Sequence, residues 1–340
     1  MIVQEGDAVN ATEWNEFVRA QPDGTFFHLA EWGTAIQRAF GHPVYYLVAR
    51  DGQEIKGVLP LGRVRSRLFG DTLISVPFGV YGGILAAEEL AREKLTQAAQ
   101  DLAARLGVDC LELRNRARMH DDWPHKDLYV TFRREMDPDP ESNLKRIPRR
   151  QRAMVRRGIK AGLTSVIEEN TDHFYPMYAE SVRNLGTPVF SRRLFDTLRE
   201  TFPDDCQVLT VFNEGRPVSS VMSFFFRNEV LPYYGGGTAE ARAVAANDFM
   251  YWELMRRACE QGVQIFDFGR SKRETGSYRF KKHWGFEAQP LYYECSLVRA
   301  RAIPEVNPLN PKYALFVRTW KRLPLGVANT LGPLISKGLG

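Results

Sequence analysis

One structural unit occurs twice in these 340 residues, and no other feature constrains the fold as tightly. The early copy has a β-rich stretch at 45–50, the turn dipeptide Asp51-Gly52, and a second β-rich stretch at 57–64. The later copy has the same stretches at 207–212 and 218–226, around Glu214-Gly215. A turn dipeptide between two β-rich runs reads as a hairpin. Both copies continue alike. The first has a strand at 72–77, a loop with Gly79, Gly82 and Gly83, a helix at about 88–106 and a strand at 109–113. The second has a strand at 229–234, a loop opening with Gly235, Gly236 and Gly237, a helix at about 248–261 and a strand at 264–268. Each helix stops before a glycine, Gly107 or Gly262, where a left-handed cap is inexpensive. Helical regions at 14–40 and 174–202 precede the hairpins. The expected fold is α/β (α+β): two tandem domains, each a mixed, mainly antiparallel sheet flanked by helices. The expected divisions are 1–145, a basic connecting helix at 146–163, 164–300 with the active site, and a basic amphipathic tail at 301–340.

Charge adds a location. The formal net charge is +5, and the cations peak between Lys145 and Lys160, so an anionic partner is expected at one place. Pro148 suits a first helical position. From there Arg149, Arg150, Arg152, Arg156, Arg157 and Lys160 fall on one broad helical face, with Met154, Val155 and Ile159 on the docking side. No acid lies among them, and arginine grips phosphate bidentately. A solvated basic helix is the plain alternative. The four cysteines, Cys110, Cys206, Cys259 and Cys295, form no C-x-x-C pair and are expected as reduced, buried thiols. The acidic N-terminus has no apolar core, and no run nears the ~20 apolar residues of a membrane span, so a cytoplasmic protein is expected.

The chemistry-bearing strings lie late in the chain. Small residues Gly235, Gly236 and Gly237 let a ligand approach backbone, and a helix start at Asn247 or Asp248 favours anions. A plain glycine turn explains the same residues. Phe266-Asp267-Phe268-Gly269-Arg270 contains Asp-Phe-Gly without the other kinase elements. If both phenylalanines face the core, Asp267 faces a groove, to orient an amine or an arginine; a structural hydrogen-bonding role is as good a reading. Between Gly276 and Phe286, cations alternate with aromatics without any acid, and the segment reads as a rim. His120 and His125 flank Asp121 and Asp122, but no further ligand set with metal spacing appears, so no metal is expected. His28 reads as a packed histidine ahead of a groove-lining one.

The segment Phe280-Lys281-Lys282-His283-Trp284-Gly285 resembles the Phe-Lys-x-x-(aromatic)-Gly element of FemAB-type transferases, within the GNAT-like superfamily. The run 149–162 is similar to the cationic element that follows their first half. The strings 78–83 and 184–190 are closest to the FemAB branch associated with PEP-CTERM exopolysaccharide systems. The resemblance implies amide formation from an activated acyl group, delivered to an amine of a cell-envelope or exopolysaccharide precursor. It implies that Lys281, with Lys282 as the fallback, stabilises charge in acyl transfer. Arg270 or Arg279 would support it, and Asp267 or Tyr234 would take the proton. The junction from Gly235 to Asp248 would meet the acyl carrier, and Arg149, Arg152 and Arg156 a phosphate of donor or acceptor. No tightly bound cofactor is implied; the donor is acyl-CoA or aminoacyl-tRNA. The Gln/Arg-x-x-Gly-x-Gly signature of acetyl-CoA enzymes is absent, and so is the coiled-coil arm some relatives use with tRNA.

Two rivals are an acetyl-CoA-dependent GNAT acetyltransferase and a non-catalytic module that binds a sugar nucleotide or tRNA. In the tail, Tyr313, Phe316, Val317, Trp320 and Leu323 recur at helical spacing among Lys312, Arg318, Lys321 and Arg322. Such a helix either packs on the second domain or lies on an anionic membrane at the inner face.

Overall fold

A computed structural model describes residues 1–6, 9–66, 69–303 and 311–340, with only the backbone of 311–314. Two compact units emerge. The first holds Met1–Tyr129, the described part of 290–306, and Lys337–Gly340; the second holds Val130–Gln289 and the described part of 307–336.

In the first unit the strands lie in the order Ile2–Gly6, Val44–Asp51, Glu54–Ser66, Gly70–Ser75, Cys110–Asn115, Tyr292–Leu297, His125–Lys126, and Leu85–Ala86 pairs with the third of these. The hairpin turns at Gly52 (φ +57°), a left-handed position that glycine adopts without strain. One pair, Gly70–Ser75 with Cys110–Asn115, is parallel. Parallel neighbours need a crossover, supplied by helix Glu89–Leu106. The helix buries Ala91, Leu95, Ala99, Leu102 and Ala103 on one face, against Leu47, Leu59, Leu73 and Leu111 of the sheet.

The second unit repeats this plan: Thr164–Glu168, Cys206–Asn213, Arg216–Phe226, Glu229–Gly237, Ile265–Asp267, Arg133–Glu135. Again one pair is parallel, Glu229–Gly237 with Ile265–Asp267, and helix Ala246–Glu260 crosses over. Its core includes Phe249, Met250, Trp252, Leu254 and Met255.

The repeat and the mixed, mainly antiparallel sheets are as expected; the unit boundaries are not. Arg133–Glu135 precedes the second copy in sequence yet pairs with Ile265–Asp267. Tyr292–Leu297 follows the second copy yet pairs with Cys110–Asn115 in the first unit. Each sheet therefore takes in a strand from beyond its own repeat, and ladder hydrogen bonds, not sequence proximity, set the boundary. The opening strands Ile2–Gly6 and Thr164–Glu168 also extend the repeat beyond the sequence reading.

The glycine loop is a second correction. Gly235, Gly236 and Gly237 complete a strand, paired with Val221, Ser220 and Ser219. Helix Phe174–Leu185 crosses so closely that a Cβ on Gly236 would sit 2.6 Å from the Met177 carbonyl oxygen. Close packing is what that glycine allows.

Candidate active site

All the candidate chemistry lies in the second unit. Helix Gly276–His283 starts at Thr275, whose hydroxyl accepts from the Tyr278 N–H at 3.4 Å. The helix turns Lys281 inward and leaves Arg279 and Lys282 exposed. Lys282 stays over the Tyr278 ring, 5.8 Å from its centroid. The segment is not the rim its charge suggested, because Lys281, Trp284 and Phe286 are all buried.

The Lys281 ammonium donates to the carbonyls of Gly269 at 2.8 Å and Arg270 at 3.0 Å. The ammonium also lies over the Phe132 ring, 5.7 Å from its centroid. Burial, followed by the opposing pull of Asp267 and the repulsion of Arg270, brings its pKa down to about 7.

Asp267 faces no open groove. It is fully buried and accepts from the Thr131 hydroxyl at 2.9 Å and the Gly269 N–H at 2.7 Å. The flanking Phe266 and Phe268 are buried as well. Its carboxylate anchors the Gly269 turn (φ +66°), whose carbonyl holds Lys281.

Tyr234 sits in an aromatic cluster with Tyr178, Phe190, Phe195 and Tyr233. Its buried hydroxyl has no hydrogen-bond partner among the described residues. Burial pushes its pKa well above the usual tyrosine value, so the phenol stays protonated. It can donate a hydrogen bond; it is no base at neutral pH. Arg270 bears electrostatically on both Tyr234 and Lys281.

Asp248 does not cap its helix. The helix begins at Ala246 behind Ala245 in the left-handed region (φ 58°), without a side-chain cap. Asp248 points into the unit, where Trp284 Nε1 donates to it at 3.3 Å and Gln151 donates from the basic helix. Asn247 lies against Gly237, where a Cβ would meet its Oδ1 at 2.6 Å. The expected carrier site from Gly235 to Asp248 is thus closely packed by its own neighbours.

The basic helix spans Arg149–Lys160, with Pro148 just before it. Val155 and Gly158 are buried, Gly158 so close to Phe249 that a Cβ would meet it at 2.7 Å. Ile159, expected on the docking side, is exposed instead. Arg149, Arg152, Arg156, Arg157 and Lys160 line an open groove of about 430 Å³. Arg152 and Arg157 are steadied by the carbonyls of Lys145 and Ala243. The groove therefore concentrates positive charge at one place.

Two histidines of the first unit, His28 and His120, are held by protein partners. His28 is buried; its Nε2–H donates to the Gly83 carbonyl at 3.0 Å, so Nδ1 accepts from Thr25, and burial lowers its pKa to about 4. His120 donates to Glu294 at 2.8 Å and stacks on Trp123. All four cysteines are free and buried.

Comparison with known proteins bears on the fold. Residues 144–282, less than half of the chain, match a family described as "Acetyltransferase (GNAT) domain". The fold is of the GNAT type. A crystal structure of FemX matches with TM-score 0.69 and 15% identity, covering 92% of this chain and 100% of that one. The C-terminal domain of a putative lysylphosphatidylglycerol synthetase from Agrobacterium fabrum matches with TM-score 0.57 and 13% identity, over 85% and 92%. A tandem GNAT protein from the clavulanic acid biosynthesis pathway matches with TM-score 0.55 and 12% identity, over 87% and 98%. These likenesses extend the GNAT-type fold over both units. No curated protein sequence matches the chain.

Proposed function

We propose that the chain is an N-acyltransferase that forms an amide from a phosphate-bearing acyl donor and an amine, in the manner of FemAB-type enzymes. The observation that carries the reading is Lys281: a buried ammonium fixed by two carbonyls over the face of the Phe132 ring. The acceptor nitrogen attacks the acyl carbon, a C–N bond forms, and the C–S or C–O bond to the carrier breaks. The proton leaves the amine and the carrier leaves protonated, so atoms balance. Charge on the carbonyl oxygen between these events is stabilised by Lys281 and by the Tyr234 hydroxyl. Asp267 positions Lys281 through the Gly269 turn, and Arg270 adds positive potential. Tyr234 serves as donor, not as proton acceptor, because its phenol is held protonated.

The groove of the basic helix holds the phosphate of the donor, whether coenzyme A or the end of an aminoacyl-tRNA. The close packing around Gly236 and Asn247 favours this groove over the expected carrier junction. The acceptor class implied by the FemAB-like residues is an amine of a cell-envelope or exopolysaccharide precursor. The test is acyl transfer to a panel of amines from acetyl-CoA and, separately, from aminoacyl-tRNA. Transfer from either donor that is lost in Lys281→Ala supports the reading and selects the donor. Saturable donor binding without transfer to any amine favours the non-catalytic module instead.

A further inference from the structure

The second unit carries two terminal helices whose outward faces do not suit water. Helix Leu325–Ser336 turns its small residues inward: Ala328, Gly332 and Ser336, at i, i+4 and i+8, are buried. A Cβ on Gly332 would lie 2.8 Å from the Val189 side chain, and the Ser336 hydroxyl donates to the Val189 carbonyl at 3.0 Å. Its large apolar residues point the other way. Val327, Leu331 and Leu334, at i, i+4 and i+7, are exposed, Leu334 by 64%. An ordinary surface helix has the reverse arrangement. Helix Pro311–Trp320 repeats it: Trp320 is buried, while Leu315 is 72% exposed and Phe316 lies outward too. The side chains of Lys312 and Tyr313 lie outside the described residues.

Charge selects the occupant. Arg318, Lys321 and Arg322 are exposed in the same stretch of chain, and the sequence contains no acid from 306 to 340. We propose that this face docks on an anionic lipid surface, with the leucines and Phe316 in the interface and the cations at the headgroups. No helix among the described residues is long and apolar enough to cross a membrane. A second copy of the chain fits less well, because it would bring the same cations against themselves. A lipid leaflet accepts both the apolar stripe and the charge. The sequence reading opposed packing to docking; in the structure each has its own face of the same helix. Truncation after Pro311 is therefore a poor test, since it would strip Trp320, Ala328 and Gly332 from the unit.

The test uses the full chain and surface substitutions. Co-sedimentation is measured with phosphatidylglycerol vesicles and with phosphatidylcholine vesicles at low salt. The expected result is binding to the anionic vesicles, weakened at least about tenfold in Val327→Ser/Leu331→Ser/Leu334→Ser. Arg318→Gln/Lys321→Gln/Arg322→Gln should lose most of the salt dependence. Both variants should melt as the parent does, because the replaced residues are exposed. No binding to anionic vesicles at low salt overturns the proposal, as does equal binding by the apolar variant. A dimer in sedimentation velocity that the apolar variant dissolves would assign the face to a second copy. These readouts are binding alone, so they stand apart from acyl transfer.

Discussion

The Trp284 indole donates to the Asp248 carboxylate across 3.3 Å, tying the end of the Lys281 helix to the first turn of the crossover helix. Gln151 donates to the same oxygen, so the basic helix is fastened to the same point. One buried carboxylate thus joins the proposed phosphate seat to the proposed oxyanion donor.

Burial raises the Asp248 pKa, with the two donors opposing it. A raised carboxyl contributes its stability below the unfolded value and loses it as pH climbs through the folded value. Asp248→Asn keeps an oxygen for both donors and removes the charge. It should gain stability over the parent as pH climbs above the ordinary aspartate value of about 3.9, measured in urea titrations. Asp248→Leu should instead cost about 1–3 kcal/mol, because the buried Trp284 indole and the half-buried Gln151 amide lose their acceptor. A pH-independent difference for the asparagine variant would place the ionisation elsewhere.

For Lys281, replacement by alanine should cost about 3 kcal/mol of transition-state stabilisation, read from kcat/KM. Since the ammonium is the active form, the parent's rate should fall on an alkaline limb near pH 7, the value to which burial brings this group. Stability moves the other way. The unfolded lysine holds its proton up to about pH 10.4, so the folded chain gains stability as pH rises from 7 toward that value. Lys281→Met should remove this gain, which is on the order of 5 kcal/mol over the full window. A rate that rises above pH 7 would make Lys281 a base.

At the basic groove, Arg152→Gln with Arg156→Gln should weaken binding of coenzyme A or tRNA and flatten its salt dependence. Titration at two salt concentrations checks this. An unchanged slope would return the helix to a solvated surface.

The legibility of this chain follows from the physics of each signal. The hairpins, crossover helices and glycine caps are local and periodic, and they were readable. The strands Arg133–Glu135 and Tyr292–Leu297 are paired by long-range ladders, which leave no mark in a local pattern. Lys281 was readable as a motif, but not its burial, since a string of cations and aromatics looks like a rim. Gly235–Gly237 resembled a ligand loop because glycine serves close packing and open loops equally. The contacts of Asp248 with Gln151 and Trp284 had no signal in the sequence beyond an acid near a helix start.

Gly236→Ala tests that ambiguity directly. The added methyl would meet the Met177 carbonyl at 2.6 Å, and the helix above cannot yield without loosening its packing. The variant should lose roughly 1–3 kcal/mol of stability, as overpacked cores do. A stable variant that binds donor poorly would restore the glycine to a ligand-facing role.

Tyr234→Phe separates structure from reaction most sharply. The hydroxyl is buried without a partner among the described residues, so it pays desolvation and gains no bond in the free chain. Removing it should leave stability unchanged or raise it by about 1 kcal/mol. If the hydroxyl meets the oxyanion, the same change should lower kcat about tenfold or more with little effect on KM. No ionisation of this phenol should mark the pH profile, because burial keeps it protonated well beyond the usual tyrosine range. Chemical denaturation and a rate profile on one purified variant measure both sides. A fall in stability would reveal a structural partner for the hydroxyl, and an unchanged kcat would remove Tyr234 from the reaction and leave Lys281 as its sole donor.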